Sequence, residues 1–203
     1  MTGQASKDVA EVVIRPARPE DCGDIARLFL MSSDGLAEYI WGRNAPQGAS
    51  LLEFGRRRYA REGVAFSYRN CLVAEDDGRV IAMLHSFPMP PRDAAADKVE
   101  TVDPVLRPYA ELEDPGSLYV SGVAVYPEHR GRGLARRLMD QARARAEALA
   151  LPRVSLICFE RNERAMQLYR RLGFAEVDRR PVVPHPSLHY RDSDAVLLVR
   201  GLD

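Results

Sequence analysis

Hydrophobic and polar positions along the chain follow two periods, which predicts a mixed order of strands and helices. Runs rich in β-branched and aromatic residues predict strands, whereas apolar residues that recur every three to four positions predict helices. The resulting order, β-α-α-β-β-β-α-β-α-β-β, is typical of one mixed α/β domain. The predicted strands cover residues 11–15, 70–75, 79–85, 117–126, 153–159, 174–180 and 194–200.

Start and stop signals place four helices among these strands. Pro19 and the acids after it open the first helix, and a second covers residues 50–61. The long helix at about 132–150 ends before Pro152, and the last begins at the N-cap Asn162 and stops at Gly173. The proline-rich segment 88–115 fits neither period, except for a short helix near 104–112. Loops of that length are usually functional or disordered.

Size and charge exclude several classes of protein. The 203 residues predict a single domain, 1–203, and 29 basic against 29 acidic side chains argue against a general nucleic-acid binder. No apolar run approaches the roughly 20 residues of a membrane span, and the N-terminus lacks a signal-peptide layout, so we expect a cytoplasmic protein without a membrane partner. Cys22, Cys71 and Cys158 are widely spaced and odd in number, which favours reduced core thiols over a zinc site.

The turn after the predicted strand 117–126 carries the sharpest chemical signal. Gly131 and Gly133 allow positive φ and close backbone approach, and the helix that follows presents its first amides to whatever lies there. Helix N-termini favour acids, yet this one has four arginines: Arg130, Arg132, Arg136 and Arg137. A bound phosphate or pyrophosphate would resolve the conflict; alternatively, the arginines face solvent. The dinucleotide fingerprint fails at Arg136, and the P-loop pattern is absent.

Three segments of the chain resemble signatures of the GNAT N-acetyltransferases. Residues 123–135 are similar to the acetyl-CoA-binding signature, because Arg130, Gly133 and Ala135 meet its pattern Gln/Arg-x-x-Gly-x-Gly/Ala. Residues 162–174 are similar to the second signature, and residues 14–21 to a frequent start of the family. The resemblance implies the GNAT fold, a central mixed, mostly antiparallel sheet that splays between two parallel strands and is flanked by helices.

The resemblance also implies a CoA thioester between the splayed strands. The backbone of Val123, Ala124 and Val125 would pair with its pantetheine arm, and Asn162 would add a polar contact compatible with an N-cap role. The turn would hold the pyrophosphate through Arg130, Gly131, Arg132, Gly133, Leu134, Ala135 and Arg136. We expect no metal, since His185 and His189 lack a second ligand pair; their loop would instead line the acceptor pocket.

The implied reaction moves the acetyl group of acetyl-CoA to a primary amine by direct attack, without a covalent enzyme intermediate. A backbone amide near residues 123–125 would polarise the thioester carbonyl, and Tyr169 would protonate the CoA sulfur. From spacing alone, Tyr169 is instead a core aromatic. No general base is assigned; the alternatives are Glu111, Glu113, Asp114, a water chain relayed by Ser121, or none. His85 is interpreted as structural, and Tyr39 and Trp41 either pack or line the acceptor site.

The sequence leaves more than one class of acceptor. We expect a small-molecule amine, and the alternative is a protein N-terminus or lysine; a closed pocket would favour the first and an open groove the second. An alternative of another class is a CoA-binding or sensing domain without catalysis, which the missing base would fit. Dimerisation is common in the family, and the sequence leaves a homodimer open.

Overall fold

One seven-stranded sheet organises the molecule. The computed structural model describes residues 12–90 and 103–202, so the start of the predicted first strand and residues 91–102 of the proline-rich segment lie outside the described residues. The strand order is β1-β2-β3-β4-β5-β7-β6, antiparallel everywhere except between β4 and β5, which confirms the predicted fold class. The strands are β1 Val13–Pro16, β2 Cys71–Asp76, β3 Arg79–Pro88, β4 Leu118–Val125, β5 Arg153–Phe159, β6 Ala175–Pro181 and β7 Asp194–Gly201.

Six α-helices accompany the sheet in the described residues. They are α1 Cys22–Ser32, α2 Leu36–Asn44, α3 Leu51–Tyr59, α4 Arg107–Glu111, α5 Leu134–Ala148 and α6 Glu163–Arg171. The four predicted helices and the short one near 104–112 are confirmed, but α2 was not predicted. Its apolar residues do not form one stripe because they serve two cores: Trp41 packs with α1 and α3, whereas Tyr39 packs with β5 and β7.

Helices cover both faces of the sheet. The apolar stripe of α5 packs with α6 on one face, and α1 and α3 pack on the other. All three cysteines are buried free thiols, as predicted. Trp41 is fully buried and stacks near Phe29, and its ring occupies the space in which a side chain at Gly55 would lie. Within the described residues, no helix combines the length and apolar content needed to cross a bilayer.

The parallel strands β4 and β5 separate soon after they meet. They pair only at Leu118 with Val154 and Tyr119 with Ser155. Beyond that point β4 contains a bulge. Val120 and Gly122 pair with the consecutive β3 residues Ser86 and His85, so Ser121 between them is an extra residue without a partner on β3. A bulge bends its strand and increases the local twist, which explains the divergence of β4. The near-continuous apolar content of residues 117–126 is typical of a strand buried on both faces, but residues 121–123 are only half-buried.

Candidate functional site

The divergence of β4 and β5 opens a cavity of about 740 Å³, within the size range of ligand pockets. Residues 119–125 of β4 and 157–159 of β5 form its two long walls. The 129–136 turn and α6 also line the cavity. Further lining residues come from the corner between α1 and α2, from α4 and from the loop between β6 and β7.

The segment 123–125 of β4 borders this cavity with one edge of its backbone. On its other side, Val123, Ala124 and Val125 pair with β3. Backbone groups of a strand point alternately to its two sides. Within the described residues no strand pairs with the β5-facing edge beyond Tyr119, so this edge faces the cavity, and the Val125 carbonyl there accepts a hydrogen bond from Arg130 Nε at 3.1 Å.

The glycine turn has the predicted conformation, with φ of 78° at Gly131 and 73° at Gly133, which precedes α5 as its N-cap. Most of the predicted turn residues line the cavity: Arg130, Gly131, Gly133, Leu134, Ala135 and Arg136. Arg132 does not line it. Its guanidinium lies 3.2 Å from the Asp76 carboxylate and 3.1 Å from His129 Nδ1.

Most of the arginines at this helix start have protein partners. Arg137 donates to the Val12 carbonyl at 2.9 Å, so three of the four, Arg130, Arg132 and Arg137, bond to other parts of the protein. Two arginines that sequence reasoning missed, Arg164 and Arg171 of α6, line the cavity together with Arg130 and Arg136. Their seven-residue spacing places them on one face of α6, which is the signal that could have identified them.

Tyr169 lies on α6 at the boundary between core and cavity. It belongs to the main hydrophobic cluster, its ring lies 5.9 Å from that of Phe174, and it also lines the cavity beside Cys158. Burial raises the pKa of Tyr169 well above its usual value. The hydroxyl therefore keeps its proton at physiological pH, the state that a proton donor needs. Both interpretations of Tyr169 made from the sequence, core aromatic and acid, agree with this position.

The acidic candidates for a general base lie elsewhere. Glu111 pairs with Arg180 at 3.0 Å, and Asp114 pairs with Arg153 at 2.7 Å. Neither these two residues nor Glu113 is among the described residues that line the cavity. Only Ser121, at the bulge of β4, reaches the cavity.

Ser121 is held by a buried histidine. His85 Nε2 lies 3.0 Å from the Ala65 carbonyl, which can only accept, so Nε2 carries the proton. Nδ1 therefore accepts from Ser121 Oγ at 2.5 Å. Burial lowers the pKa of His85 to about 4. Charging it at pH 7 would then cost roughly 4 kcal/mol, so His85 orients Ser121 rather than serving as a base. The structural interpretation of His85 agrees with these contacts.

Asp34 is a carboxylate in the cavity that sequence reasoning missed. It lies at the corner between α1 and α2 with its side chain only 17% exposed, and its Oδ2 accepts from Asn162 Nδ2 at 2.9 Å. Burial raises the pKa of Asp34. In the sequence, Ser-Asp-Gly indicates only a turn. The environment of this carboxylate depends on Asn162 at the start of α6, more than a hundred residues away in the sequence, so no local sequence pattern predicts it.

Asn162 has both predicted features, a position on the cavity and an N-cap. Its Oδ1 accepts from the Ala165 amide at 3.2 Å, which fixes the side-chain amide and turns Nδ2 toward Asp34. Tyr39 and Trp41 pack rather than line the cavity; the Tyr39 hydroxyl donates to Asp103. In the described part of the chain, no group of three or more histidine, cysteine or acidic side chains is arranged to hold a metal.

A family model described as the acetyltransferase (GNAT) family matches residues 40–174, about two thirds of the chain. The chain belongs to the GNAT family. The match extends well upstream of the two signature segments, 123–135 and 162–174. Because GNAT proteins and the structural neighbours below are acetyltransferases, an enzyme with acetyl-CoA as donor is supported over a domain that only binds CoA.

Solved GNAT-type structures share the fold at low sequence identity. An N-acetyltransferase from Staphylococcus aureus Mu50 is 22% identical with a TM-score of 0.63, over 93% of this chain and 100% of that chain. The putative acetyltransferase yncA from Salmonella typhimurium, solved with its cofactor acetyl-CoA, is 19% identical with a TM-score of 0.59, over 95% and 94%. An agmatine N-acetyltransferase mutant is 19% identical with a TM-score of 0.61, over 95% and 100%.

Proposed function

We propose that this GNAT enzyme transfers the acetyl group of acetyl-CoA to a primary amine of a small molecule. The observation that carries the proposal is the cavity between β4 and β5, which among the described residues is lined by four arginines and by one carboxylate, Asp34. The arginines match the phosphates of a CoA thioester, and the carboxylate matches an ammonium-bearing acceptor. Attack of the amine on the thioester carbon is direct, so no enzyme nucleophile is needed.

We assign acetyl-CoA to the arginines of the 129–136 turn and to the open edge of β4. Backbone groups of residues 123–125 bind the pantetheine arm, and one of them polarises the thioester carbonyl. Arg132 contributes its backbone amide, since its side chain pairs with Asp76. The pyrophosphate is held by the start of α5 and the arginines around it. The assigned residues are Val123, Ala124, Val125, Arg130, Gly131, Arg132, Gly133, Leu134, Ala135, Arg136 and Asn162.

Tyr169 acts as the proton donor in this scheme. Collapse of the tetrahedral adduct breaks the carbon–sulfur bond and leaves a thiolate, which needs a proton or a strong hydrogen bond. The Tyr169 hydroxyl is protonated across the working pH range and borders the cavity. A hydrogen bond from this hydroxyl to the sulfur strengthens as negative charge develops there, so it acts in the transition state rather than on the bound thioester.

The residues near Asp34 support a small acceptor. Tyr109 of α4 and Tyr190 of the loop between β6 and β7 line the same cavity as Asp34, so three separate segments contribute side chains to its wall. A peptide acceptor needs an open groove at this position. The fold neighbour named as an agmatine N-acetyltransferase acts on an acceptor of the size that we propose.

A panel of amines tests the proposal. Amino acids, polyamines, aminoglycosides and short peptides are each incubated with enzyme and acetyl-CoA, and release of free CoA thiol is measured. We expect amine-dependent thiol release with at least one small amine and none with the peptides. Turnover with a peptide alone would favour the protein acceptor, and no turnover with any amine would contradict the proposed function.

A further inference from the structure

Asp34 is the one carboxylate that the described residues place on the wall of the cavity. Asn162 Nδ2 donates to one oxygen at 2.9 Å, and His189 Nδ1 lies 3.8 Å from the other. The four arginines on the cavity wall belong to the 129–136 turn and to α6. A positively charged group that enters beside Asp34 would therefore find an oriented carboxylate.

The surroundings of Asp34 suit an organic cation. Three aromatic rings that also line the cavity contact one another in a row: Tyr109 lies 6.0 Å from Phe159, which lies 5.6 Å from Tyr190. The Tyr109 hydroxyl is buried and has no hydrogen-bond partner among the described residues. Buried polar groups are nearly always bonded, so an unpartnered hydroxyl on a cavity wall indicates a ligand that completes it. Aromatic faces with one carboxylate are the usual recognition elements for an ammonium group.

The backbone at Asp34 is held in a conformation that its side chain does not prefer. Asp34 has a φ of 50°, in the left-handed region. Its carbonyl accepts from the His189 amide at 2.9 Å, and Gly35 lies so close to the Ser187 backbone that no side chain would fit there. Contacts from the loop between β6 and β7 thus fix the corner. Backbone strain that neighbouring structure maintains is concentrated at functional sites.

We propose that Asp34 is the carboxylate that binds the ammonium group of the acceptor and removes its proton, and that Asn162 positions it. The acceptor is thus an alkylammonium compound rather than a weakly basic aryl amine or a hydroxyl compound. This inference rests on the proposed function. It adds the general base that the sequence did not identify.

The proton balance of the step is complete. The Asp34 carboxylate takes one proton from the ammonium, which leaves a neutral amine and a carboxylic acid. The amine nitrogen then attacks the thioester carbon, the carbon–nitrogen bond forms and the carbon–sulfur bond breaks. The second nitrogen proton is lost and the leaving thiolate gains one, so the products are the amide and CoA thiol. The proton on Asp34 returns to solvent.

Several titratable groups face Asp34, and all of them influence the pH at which its carboxyl group gains a proton. Burial raises the pKa of the carboxyl, the Asn162 hydrogen bond lowers it, and His189 and Glu38 act in opposite directions. Hydroxyl and thiol groups from α4, β5, α6 and the loop between β6 and β7 stay neutral near pH 7. They are Tyr109, Cys158, Tyr169 and Tyr190.

Asp34→Asn tests the base directly. The probes are the amine that the panel identifies and acetyl-CoA. In this variant, kcat/KM for the amine should fall at least about 100-fold at pH 7 and then rise with pH toward the pKa of the free amine, because only molecules already deprotonated in water react. Acetyl-CoA affinity should stay within about twofold. The melting temperature should not fall, since a buried charge is removed and asparagine tolerates positive φ.

Asn162→Ser isolates the positioning role. Serine also caps helices well, so α6 should keep its stability, but the donor to Asp34 is lost. The carboxylate then loses a stabilising hydrogen bond, and the acidic limb of kcat/KM should move to higher pH than in the wild type. Glu38→Gln is the matched charge control, because it removes a neighbouring acid that does not line the cavity; it should change kcat/KM by no more than about threefold.

The outcomes separate this inference from the proposed function. A wild type that acetylates no amine contradicts both. A wild type that acetylates an amine, together with a folded Asp34→Asn variant that retains kcat/KM within about threefold and the same pH profile, overturns the Asp34 proposal alone. An Asn162→Ser variant with an unmoved acidic limb overturns the positioning role.

Discussion

At the scale of single residues, Tyr169 has to serve two purposes. Its ring fills the main hydrophobic cluster against Phe174, and the residue also borders the cavity between β4 and β5. Sequence spacing alone identifies the first purpose, and the family resemblance the second. A substitution that keeps the ring and removes the oxygen separates them.

Tyr169→Phe should lower kcat by about 100-fold, because a general acid commonly contributes that much or more. Acetyl-CoA affinity should change little, since the hydroxyl acts on the sulfur mainly as the thiolate forms. Steady-state kinetics and acetyl-CoA titration measure the two effects. Tyr68→Phe is the control, because it removes a hydroxyl bonded to Glu62 away from the cavity and should leave kcat unchanged. Unaltered turnover of Tyr169→Phe would leave this residue a role in the core only.

For two residues, Arg132 and Asp34, the sequence predicted the local backbone but not the environment of the side chain. Arg132 fits the phosphate-binding pattern, yet its side chain pairs with Asp76 across a β-hairpin and does not line the cavity. Asp34 fits a plain turn, yet tertiary contacts make it a half-buried carboxylate on the cavity wall. Local patterns report backbone conformation well. Which direction a long or charged side chain takes depends on partners that are distant in sequence.

At the scale of elements, the corner between α1 and α2 is fixed by contact with the loop between β6 and β7. Gly35 has a φ of 93°, and an added Cβ would overlap the Ser187 carbonyl oxygen. Gly48 also has a positive φ, 77°, but no atom lies within 4 Å of its added Cβ. At both positions a residue other than glycine would be strained by the positive φ, but only at Gly35 would its side chain also collide with neighbouring atoms.

Gly48→Ala should cost about 1 kcal/mol of unfolding free energy from positive φ alone. Gly35→Ala should cost about 1–3 kcal/mol more, because backbone rather than a flexible side chain must move. It should also raise KM for the amine, since the loop that holds the Asp34 carbonyl is displaced, while acetyl-CoA affinity is retained. Chemical denaturation and kinetics measure these effects. Equal destabilisation by the two substitutions would contradict the close contact.

The periodicity of apolar residues predicted most of the helices and strands. β4, α5, β5 and α6 were predicted because each has one continuous signal: an apolar run, a stripe, or a cap followed by a stop. The exception, α2, lies between two cores and buries residues on more than one side, so it has no single stripe. The bulge at Ser121 was also unpredictable, because a bulge depends on the register with β3 rather than on β4 alone.

At the scale of the whole molecule, zero net charge conceals a cavity with an excess of basic side chains. Among the described residues, four arginines from the 129–136 turn and α6 line it, together with one carboxylate, Asp34. Composition excluded a general polyanion binder but could not show this local excess, because the cavity arises only when β4 and β5 diverge. We therefore expect acetyl-CoA to lie in this cavity with its phosphates beside the arginines of the 129–136 turn.

Thermal unfolding in the presence of acetyl-CoA tests this placement of the cofactor. At about a hundred times its dissociation constant, the ligand should stabilise the wild type by roughly 2.7 kcal/mol, which corresponds to about 5–10 °C in a protein of this size. The double substitution of Arg130 and Arg136 by alanine should remove most of the shift at the same concentration. Arg143→Ala, on the same helix but paired with Glu147 at 3.6 Å, should retain it. No shift of the wild type at millimolar acetyl-CoA, or an equal shift in the double variant, would contradict the account.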